Sequence, residues 1–464
     1  MKRNWKKATT VLLTAMLTAS LAGCGNSSGN NITAETQKTT EAAAESMPAE
    51  TPAEAQGENG DKEPVTITVW RCNMTDERTA LCEELNQKFM EEYPWITVEF
   101  TSLPDSFNEK LEVSFEAGNA PDVFFQNGNV IAYAKNGYIL PLDDLYEAWD
   151  YKDNMLESAI EAIRNQDRAG HKLYYLPEGN NVNCIWVRSD WFKEAGLELP
   201  VTWDDMFTDI DALTDTVAGR YGVALRGGGG SASNLEMMMY SYSGITEAFD
   251  ADGKSTLNEP KNVEFVERWL GEYGVNSAEG DIGNGWTELA AAFQSGKAAV
   301  IQHNTGSSSG HMTAFDGDMS KFEAIAFPKS TYTGETVIPA LGPSGPCISA
   351  SCKNVDAAFL YASYMVTGEA VSAIDEMWGQ VPFDKAVLEY DWVQNTPWMK
   401  MGADLLLSDS TKFYEGTAFI AETASIQGNE VEPMIQAVMA GQMTAQEMCD
   451  TWAGLMEEAY ENYK

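Results

Sequence analysis

The chain has 464 residues, of which 70 are acidic and 30 are basic. The resulting net charge of −40 disfavours binding to nucleic acid or to anionic headgroups, because like charges repel. Apolar residues make up 44% of the sequence, which is typical of a folded protein, and the roughly 400 residues after position 63 predict two domains.

Residues 1–23 have the layout of a secretory signal peptide. Four positive charges in the first seven residues precede an uncharged, mostly apolar run over residues 8–22. This run is shorter than the about 20 residues that a membrane-spanning helix needs. It closes on the sequence LAGC, ending at Cys24, which resembles the bacterial lipobox, where the cysteine receives a diacylglycerol and the chain is cut just before it. An ordinary signal peptide followed by a chance cysteine is the alternative interpretation.

Residues 24–63 are rich in Asn, Ser, Thr, Ala, Glu and Pro and contain almost no large apolar side chain. Such a segment cannot bury enough surface to offset its chain entropy, so we expect a lipidated Cys24 followed by a disordered acidic tether. Two acyl chains give stable anchoring where one gives only marginal binding. The mature protein, with a charge of about −44 once the four positive residues are removed, is expected at the outer face of a bacterial cytoplasmic membrane.

The remaining six cysteines are scattered over 400 residues, without a C-x-x-C motif or a Cys/His cluster at zinc spacing. They are Cys72, Cys82, Cys184, Cys347, Cys352 and Cys449. The spacing predicts buried free thiols rather than a disulfide framework. No metal site and no cofactor are predicted.

The first part of the folded region alternates strands and helices. Residues 65–70, 95–100 and 122–125 are predicted strands, and residues 75–94 and 106–118 are predicted helices. This rhythm predicts a mostly parallel α/β sheet.

The same rhythm returns later in the chain. Strands are predicted at residues 183–187 and 297–304, and helices at residues 189–197, 203–217 and 286–296. The last stretch predicts two helices that are broken at Gly441, with Thr444 as an N-cap.

Several segments, in this order along the chain, resemble the carbohydrate-binding family of extracellular solute-binding proteins of ABC importers, which includes the maltodextrin-binding protein. They are FEAGNAPDVFF, YAKNGYILPLDDL, HKLYYLPEGNNVNCIWVRSDWFKEAGLELPVTWDDM, AAFQSGKAAVIQHN and ISASCKNVDAAFLYASYMVTGEA. The resemblance covers nearly all of residues 65–464. It implies an α/β, two-lobed periplasmic-binding-protein-like fold with a ligand cleft between the lobes.

The resemblance also implies where the chain passes between the lobes. One lobe is expected to comprise residues 65–179 and 340–380, and the other residues 180–339 and 381–464. The crossings fall near residues 177–181, 337–340 and 379–382, where Pro and Gly absorb the rotation of closure.

Candidate ligand-binding residues cluster where predicted strands end, because ligands of open α/β sheets bind at the carboxyl ends of the strands. These residues are mostly amides and aromatics, which suit sugar hydroxyls and ring C–H faces. At the strand ends they are Trp70, Arg71, Asn73, Gln126, Asn127, Asn129 and Asn304. Trp286 and Trp378 are two further aromatic candidates, and Glu178, Asn181 and Gln380 lie beside the implied crossings. Packing of Trp70 on the sheet, and a turn role for Gln126 and Asn127, are the alternatives; Trp203 is assigned to the core.

The chain departs from the family at two places. It has Trp186-Val187 where many members have Tyr-Asn, and NTGSSS where many have a tryptophan after the GKAAV strand. The second departure removes one stacking position and leaves the length of the sugar open.

Two enzyme hypotheses compete with the binding hypothesis. The sequence GSSSG at residues 306–310 fits a nucleophile elbow, but no histidine follows His311, so the required order of the triad cannot be completed. A glycosidase would need two carboxylates roughly 5–9.5 Å apart, and no pair is singled out. The glycine-rich RGGGGS and the sequence FDADGK are predicted to be a flexible loop and a turn.

The predicted function is a lipid-anchored, monomeric receptor that captures a carbohydrate, an oligosaccharide, by hinge closure. It passes the sugar to the permease of an ABC importer and does no chemistry. A lipid-anchored glycoside hydrolase acting on oligosaccharides is the alternative, and a purely structural surface protein would not need so aromatic a cleft.

Overall fold

The computed structural model describes residues 62–103, 107–126, 130–417 and 419–463. The predicted signal peptide, Cys24 and nearly all of the tether lie outside the described residues. The first elements are β1 (Val65–Arg71), α1 (Asp76–Glu92), β2 (Ile96–Ser102), α2 (Phe107–Glu116), β3 (Val123–Phe125), α3 (Val130–Lys135), α4 (Asp143–Glu147), α5 (Glu157–Arg164), β4 (Gly179–Asn180), β5 (Asn183–Val187), α6 (Ser189–Ala195), α7 (Trp203–Leu213), β6 (Tyr221–Val223), α8 (Ser231–Ser243) and α9 (Pro260–Gly271).

The second half continues the alternation and ends in helices. Its elements are α10 (Trp286–Gln294), β7 (Ala298–Asn304), α11 (Ser308–Ala314), β8 (Glu323–Ile325), β9 (Thr336–Pro339), β10 (Pro346–Ile348), α12 (Val355–Met365), α13 (Gly368–Trp378), β11 (Val381–Pro382), α14 (Lys385–Leu388), α15 (Asp391–Gln394), α16 (Pro397–Leu407), β12 (Thr411–Tyr414), α17 (Thr423–Ile426), α18 (Glu432–Met439) and α19 (Ala445–Tyr463).

The first sheet has the strand order β10-β3-β1-β2. β1 runs parallel to both β2 and β3, whereas β10 is antiparallel to β3. Its core contains Ile67, Val69, Phe89 and Phe124, all fully buried. The five strands and helices predicted for residues 65–125 are confirmed.

The second sheet has the order β6-β7-β5-β8, and here the expectation of a mostly parallel sheet is wrong. β6 and β7 are parallel, but β5 is antiparallel to both β7 and β8. The physical reason is the direction from which the chain enters: Asn183, the first residue of β5, pairs with Asn304, the last residue of β7. The chain therefore comes in at the edge where β7 ends and must run the opposite way.

Two small sheets lie where the crossings are predicted. β4 pairs antiparallel with β11, and β9 pairs parallel with β12. Each predicted crossing thus contains one strand of a two-stranded sheet, so its backbone is held by hydrogen bonds rather than left as open loop.

Local caps follow the sequence signals. Thr444 Oγ1 accepts from the Glu447 N–H at 3.2 Å, and Glu447 accepts in return from the Thr444 N–H at 3.0 Å, while Gly441 takes a φ of 67° between α18 and α19. The predicted break and N-cap are therefore confirmed. Trp203 is fully buried, as predicted, but its helix ends at Leu213 rather than at Val217.

All six cysteines of the described region are free and buried, which confirms the prediction of buried thiols. Within the described residues, no single helix is long and apolar enough to cross a membrane. Only α12 and α13 together reach that length and composition, and they are bent by 56° at the break between them.

The close approach of residue 345 to the backbone of Leu176 requires a glycine. A Cβ built on Gly345 would lie 1.8 Å from the Leu176 carbonyl oxygen, whereas a Cβ on Gly342 meets nothing within 4 Å. We expect Gly345→Ala to lower the free energy of unfolding by about 1–3 kcal/mol or more, because the contact is with backbone. Gly342→Ala, three residues away, is the matched control. Chemical denaturation of both variants measures the effect, and equal free energies of unfolding would contradict the steric requirement for glycine at position 345.

Candidate functional site

The two sheets present their strand ends to each other at one crevice. Thr305 directly follows β7; its hydroxyl accepts from the Val182 N–H at 3.2 Å and donates to the Gly379 carbonyl at 3.1 Å. The end of the second sheet therefore touches the end of α13, whose Trp378 ring lies 5.0 Å from the guanidinium of Arg71 at the end of β1. A cavity of about 210 Å³ lies beside this contact, lined by residues 180–183 and 338–342 of the crossings.

A buried ion pair lies at the base of the crevice. Arg71, the last residue of β1, donates through Nη2 to Glu178 Oε2 at 2.7 Å, and the two residues are 4% and 1% exposed. Asp375 of α13 is fully buried beside them, and its carboxylate packs so closely on Gly179 that a Cβ there would lie 2.5 Å from Oδ1. One of the two carboxylates, Glu178, is hydrogen-bonded to the guanidinium, whereas Asp375 is not.

Burial and the two neighbouring charges together determine the protonation of Asp375. Burial raises the pKa of Asp375 well above 3.8, the charge of Glu178 raises it further, and the charge of Arg71 opposes both. Neither oxygen of Asp375 has a hydrogen-bond partner among the described residues. The arrangement favours a neutral Asp375 next to a charged Arg71–Glu178 pair.

The first wall of the crevice comprises Trp70, Arg71, Arg78 and Trp378. Arg78 lies with its guanidinium carbon 4.3 Å from the centre of the half-buried Trp378 ring, and that of Arg71 lies 5.0 Å from it. Lys110 Nζ lies 5.2 Å from the Trp70 ring. The wall thus presents aromatic faces that are flanked by positive charges.

Three other predicted residues frame the first wall. Asn73 is exposed and adopts a left-handed φ of 58°, and Gln126 donates to the Pro343 carbonyl at 2.7 Å. Gln380 is buried; its N–H donates to the Asp375 carbonyl at 2.9 Å, while its Oε1 has no hydrogen-bond partner in the described part of the chain. The predicted ligand residues Asn127 and Asn129 lie outside the described residues.

The second wall comprises Arg226, Trp286, His303 and Asn304. Trp286 is 39% exposed, its ring centre lies 3.4 Å from that of the buried His303, and the Arg226 guanidinium lies 5.2 Å from the Trp286 ring. Burial lowers the pKa of His303 to about 4, so this ring is neutral at neutral pH. Trp286 is therefore a partly exposed ring that packs against an uncharged imidazole.

Asn304 and Asn181 lie where the two walls meet. The Asn304 carbonyl accepts from Trp186 Nε1 at 3.1 Å, and Asn181 Oδ1 is buried without a hydrogen-bond partner among the residues described. Gly306 leaves room for this amide, because a Cβ there would lie 2.8 Å from Asn181 Oδ1.

The nucleophile position of the G-x-S-x-G pattern in GSSSG is Ser308, but the serine that contacts a histidine is its neighbour Ser307, in an orientation unsuited to nucleophilic catalysis. Gln294 Nε2 lies 3.3 Å from His311 Nδ1, and Ser307 Oγ lies 3.0 Å from His311 Nε2 and donates to the Asn304 carbonyl at 2.8 Å. Because an amide nitrogen donates, Nδ1 accepts and Nε2 carries the proton, so the ring donates to the serine. A general base would have to accept the serine proton instead.

Four residues of the site did not enter the predicted set: Arg78, Arg226, His303 and Asp375. His303 immediately precedes the predicted residue Asn304 in β7, and Arg226 was assigned to a flexible loop. In the structure its Nε donates to the Gly229 carbonyl at 2.8 Å, and the Gly230 N–H donates to Glu432, so this loop is held. Its position just after a short strand is the signal that could have identified it.

Comparison with known proteins gives a consistent result. Residues 73–371 match the family described as "Bacterial extracellular solute-binding protein". The chain is 26% identical to the multiple sugar-binding protein of Streptococcus mutans over 344 residues, which is 70% of this chain and 76% of that protein. It is 24% identical to the mannitol-binding protein of Pseudomonas aeruginosa over 51% of this chain, and it spans about half (54%) of that protein.

Solved structures agree on the fold. The sugar-binding protein MalE of Xanthomonas citri superimposes with a TM-score of 0.71 at 17% identity, covering 86% of this chain and 98% of that one. The GacH receptor of Streptomyces glaucescens, solved unliganded and with acarbose, superimposes with a TM-score of 0.67 at 20% identity, covering 87% of this chain and all of that one. The predicted α/β, two-lobed periplasmic-binding-protein-like fold with a cleft between the lobes is confirmed.

The buried carboxyl of Asp375 predicts a pH-dependent stability. Its pKa is raised in the folded protein, so between the ordinary value of 3.8 and the raised value the folded state binds more protons than the unfolded state. Stability is therefore lost as the pH rises through this window. Asp375→Asn removes this loss, and we expect its melting temperature to exceed that of the wild type at pH 7–8, with the gain shrinking towards pH 4.

Thermal unfolding between pH 4 and pH 8 checks this prediction. The exposed Asp409→Asn is the matched control and should shift the melting temperature little at any pH. A destabilised Asp375→Asn at pH 8 would contradict the account, because it would mean that the charged carboxylate is stabilising.

Proposed function

Because this chain belongs to the bacterial extracellular solute-binding proteins, we propose that it is an extracellular receptor that binds a carbohydrate between its lobes and delivers it to an ABC importer. Relatives that are named for binding a sugar or a polyol support the carbohydrate, among them the two compared above. The observation that carries the proposal is the pair of partly exposed tryptophans, Trp378 and Trp286, one on each wall of the crevice.

The chemistry of the walls suits a sugar. Aromatic faces pack against the C–H surface of a pyranose ring, and amide groups exchange hydrogen bonds with its hydroxyls. Trp70, Trp286 and Trp378 supply the faces, and Asn181 and Asn304 are the nearby amides. Three tryptophans offer more than one stacking position, which favours an oligosaccharide over a single sugar.

Among the predicted ligand residues, we assign direct contacts to the partly exposed side chains and a positioning role to the buried ones. Arg71 and Glu178 are almost fully buried and bind each other. They hold the first crossing in place below the sugar rather than presenting free hydrogen-bonding groups to it.

Binding is coupled to closure of the lobes. We keep the proposed lobes as residues 65–179 with 340–380 and residues 180–339 with 381–464, joined by the crossings at β4, β9 and β11. A sugar that contacts both walls stabilises the closed state by its additional contacts with the second wall. The ligand thereby sets the orientation that the permease recognises.

The receptor performs no reaction on the sugar. His311 contacts Ser307, as a donor, and not Ser308 at the nucleophile position of GSSSG, which argues against a serine nucleophile. The carboxylates at the base of the crevice, Glu178 and Asp375, are buried around Arg71 instead of facing a glycosidic bond, which disfavours the glycosidase alternative.

Lipid anchoring completes the proposal. The signal sequence, Cys24 and the acidic tether support a monomer that is held at the outer face of the cytoplasmic membrane within reach of its permease. Metabolic labelling with a fatty acid, lost in Cys24→Ser, tests this part separately from sugar binding.

The function is tested by a thermal-shift screen of mono- and oligosaccharides, followed by calorimetric titration of the best ligand. Binding raises the melting temperature by mass action. We expect Trp286→Ala and Trp378→Ala each to weaken binding about tenfold or more, since a stacking contact contributes about 0.5–1.5 kcal/mol beyond its buried area.

The matched control is Tyr332→Ala, because Tyr332 is 40% exposed and packs against Tyr242, away from both walls. It should leave affinity unchanged. Recovery of the oligosaccharide intact after incubation is also expected. Cleavage of the sugar would overturn the receptor function in favour of the hydrolase.

A further inference from the structure

Two arginines on the walls of the crevice, Arg78 and Arg226, differ from the other arginines of the described chain in having no carboxylate partner. Six of the eight have a carboxylate within 4.0 Å; they are Arg71, Arg164, Arg168, Arg188, Arg220 and Arg268. Arg78 and Arg226 have none among the described residues. In a chain with 70 acidic and 30 basic residues, a missing acid partner is unexpected. Both exceptions lie on the walls of the crevice.

Arg226 is held in place with much of its donor capacity unused. Its Nε donates to the Gly229 carbonyl at 2.8 Å, and its guanidinium lies 5.2 Å from the Trp286 ring. Partial burial lowers the pKa of Arg226, and the charge of Glu432 opposes this, so the group stays charged. Glu432 accepts through Oε1 from the Gly230 N–H, and no carboxylate of the described residues lies within 4.0 Å of the Arg226 guanidinium.

Arg78 repeats this arrangement on the first wall. Its Nη1 donates to the Asn73 carbonyl at 3.0 Å, and its guanidinium carbon lies 4.3 Å from the Trp378 ring. Burial and the neighbouring positive charge of Arg71 both lower the pKa of Arg78. An anion bound here would relieve that repulsion.

Packing of arginine on an aromatic ring does not itself explain the missing acids. Arg220 lies 4.7 Å from the Trp191 ring and also has Glu194 at 3.2 Å, and Arg268 lies 4.0 Å from the Phe207 ring and also has Asp204 at 2.7 Å. Outside the crevice the stacked arginines are neutralised by acids. At Arg78 and Arg226 the stacking is kept and the acid is omitted, whereas the buried Arg71 keeps Glu178.

We propose that the solute is an acidic carbohydrate, whose anionic groups bind Arg78 and Arg226 from the two walls while Trp378 and Trp286 pack against its rings. This inference rests on the proposed function and narrows its substrate class. The planar guanidinium fork matches a carboxylate bidentately, which makes a uronic acid residue the expected source of the charge. Lys110, above the Trp70 ring, adds a third cation at the rim of the first wall.

The inference is tested by titrating the folded protein with matched pairs of ligands: galactose with galacturonic acid, glucose with glucuronic acid, and short oligomers of each. A sulfated oligosaccharide forms a further arm. We expect the acidic member to bind at least tenfold more tightly than its neutral partner, and its affinity to fall as salt is added.

Two variants locate the effect. Arg226→Gln and Arg78→Gln should each weaken binding of the acidic ligand about tenfold to a hundredfold, because a charge-assisted hydrogen bond is lost, and so reduce the preference for the acidic member of each pair. Arg220→Gln is the matched control, because it also removes a charge from a tryptophan face but lies outside the crevice; it should change neither affinity.

The outcomes separate the two proposals. Equal or tighter binding of the neutral partners overturns the acidic solute and leaves the carbohydrate receptor intact. Preference for the sulfated ligand supports the anionic requirement and identifies sulfate rather than carboxylate as its source. If no member of any pair binds, the receptor function fails in this panel and the acidic solute fails with it.

Discussion

The ion pair between Arg71 and Glu178 fixes the geometry on which the crevice depends. It joins the last residue of β1 to the residue before β4 at 2.7 Å, and so ties the first sheet to the first crossing. Removing one partner of a buried pair costs about 3–5 kcal/mol, because the other charge is left uncompensated. Burial and the charge of Glu178 raise the pKa of the neighbouring Asp375, whose carboxyl fills the room that Gly179 leaves. The crossing is therefore positioned by packing and charge together.

Residues at the buried base of the crevice support the site, and different residues, above them, are available to contact a ligand. Side chains that hold the backbone, such as Arg71, Glu178 and Gln380, lie inside, whereas Trp286 and Trp378 remain partly exposed above them. A binding group works only if it is held by a supporting layer, since a displacement of about 1 Å already degrades its contacts. A position at the end of a strand is shared by supporting residues and ligand-contacting residues, so the sequence cannot tell them apart. Their burial in the folded chain distinguishes them.

Much of the fold could be predicted from local patterns, because β1, α1 and the Thr444 cap depend on residues near one another in sequence. The direction of β5 could not, because it is set by the edge at which the chain enters the second sheet, and that edge depends on the first crossing. Asp375 also escaped prediction: on α13 it looks like an ordinary helical acid, and only the fold places it against Gly179 and Glu178. Arg78 and Arg226 escaped for a related reason, since an absent acid partner becomes visible only once every neighbour is known.

The strongly acidic chain and its cationic crevice walls are compatible, because the two act over different distances. At physiological ionic strength the Debye length is about 8 Å, so exposed charges spread over the surface are largely screened at the crevice. Arg78 and Arg226 are partly buried against tryptophan rings, where screening is weaker and each hydrogen bond to an anion is stronger. Surface charge then governs solubility and repulsion of polyanions, whereas the walls govern which small solute is retained. A short acidic sugar escapes strong repulsion by the surface and can be retained by the walls. A long polyanion could bind the walls but is repelled by the surface.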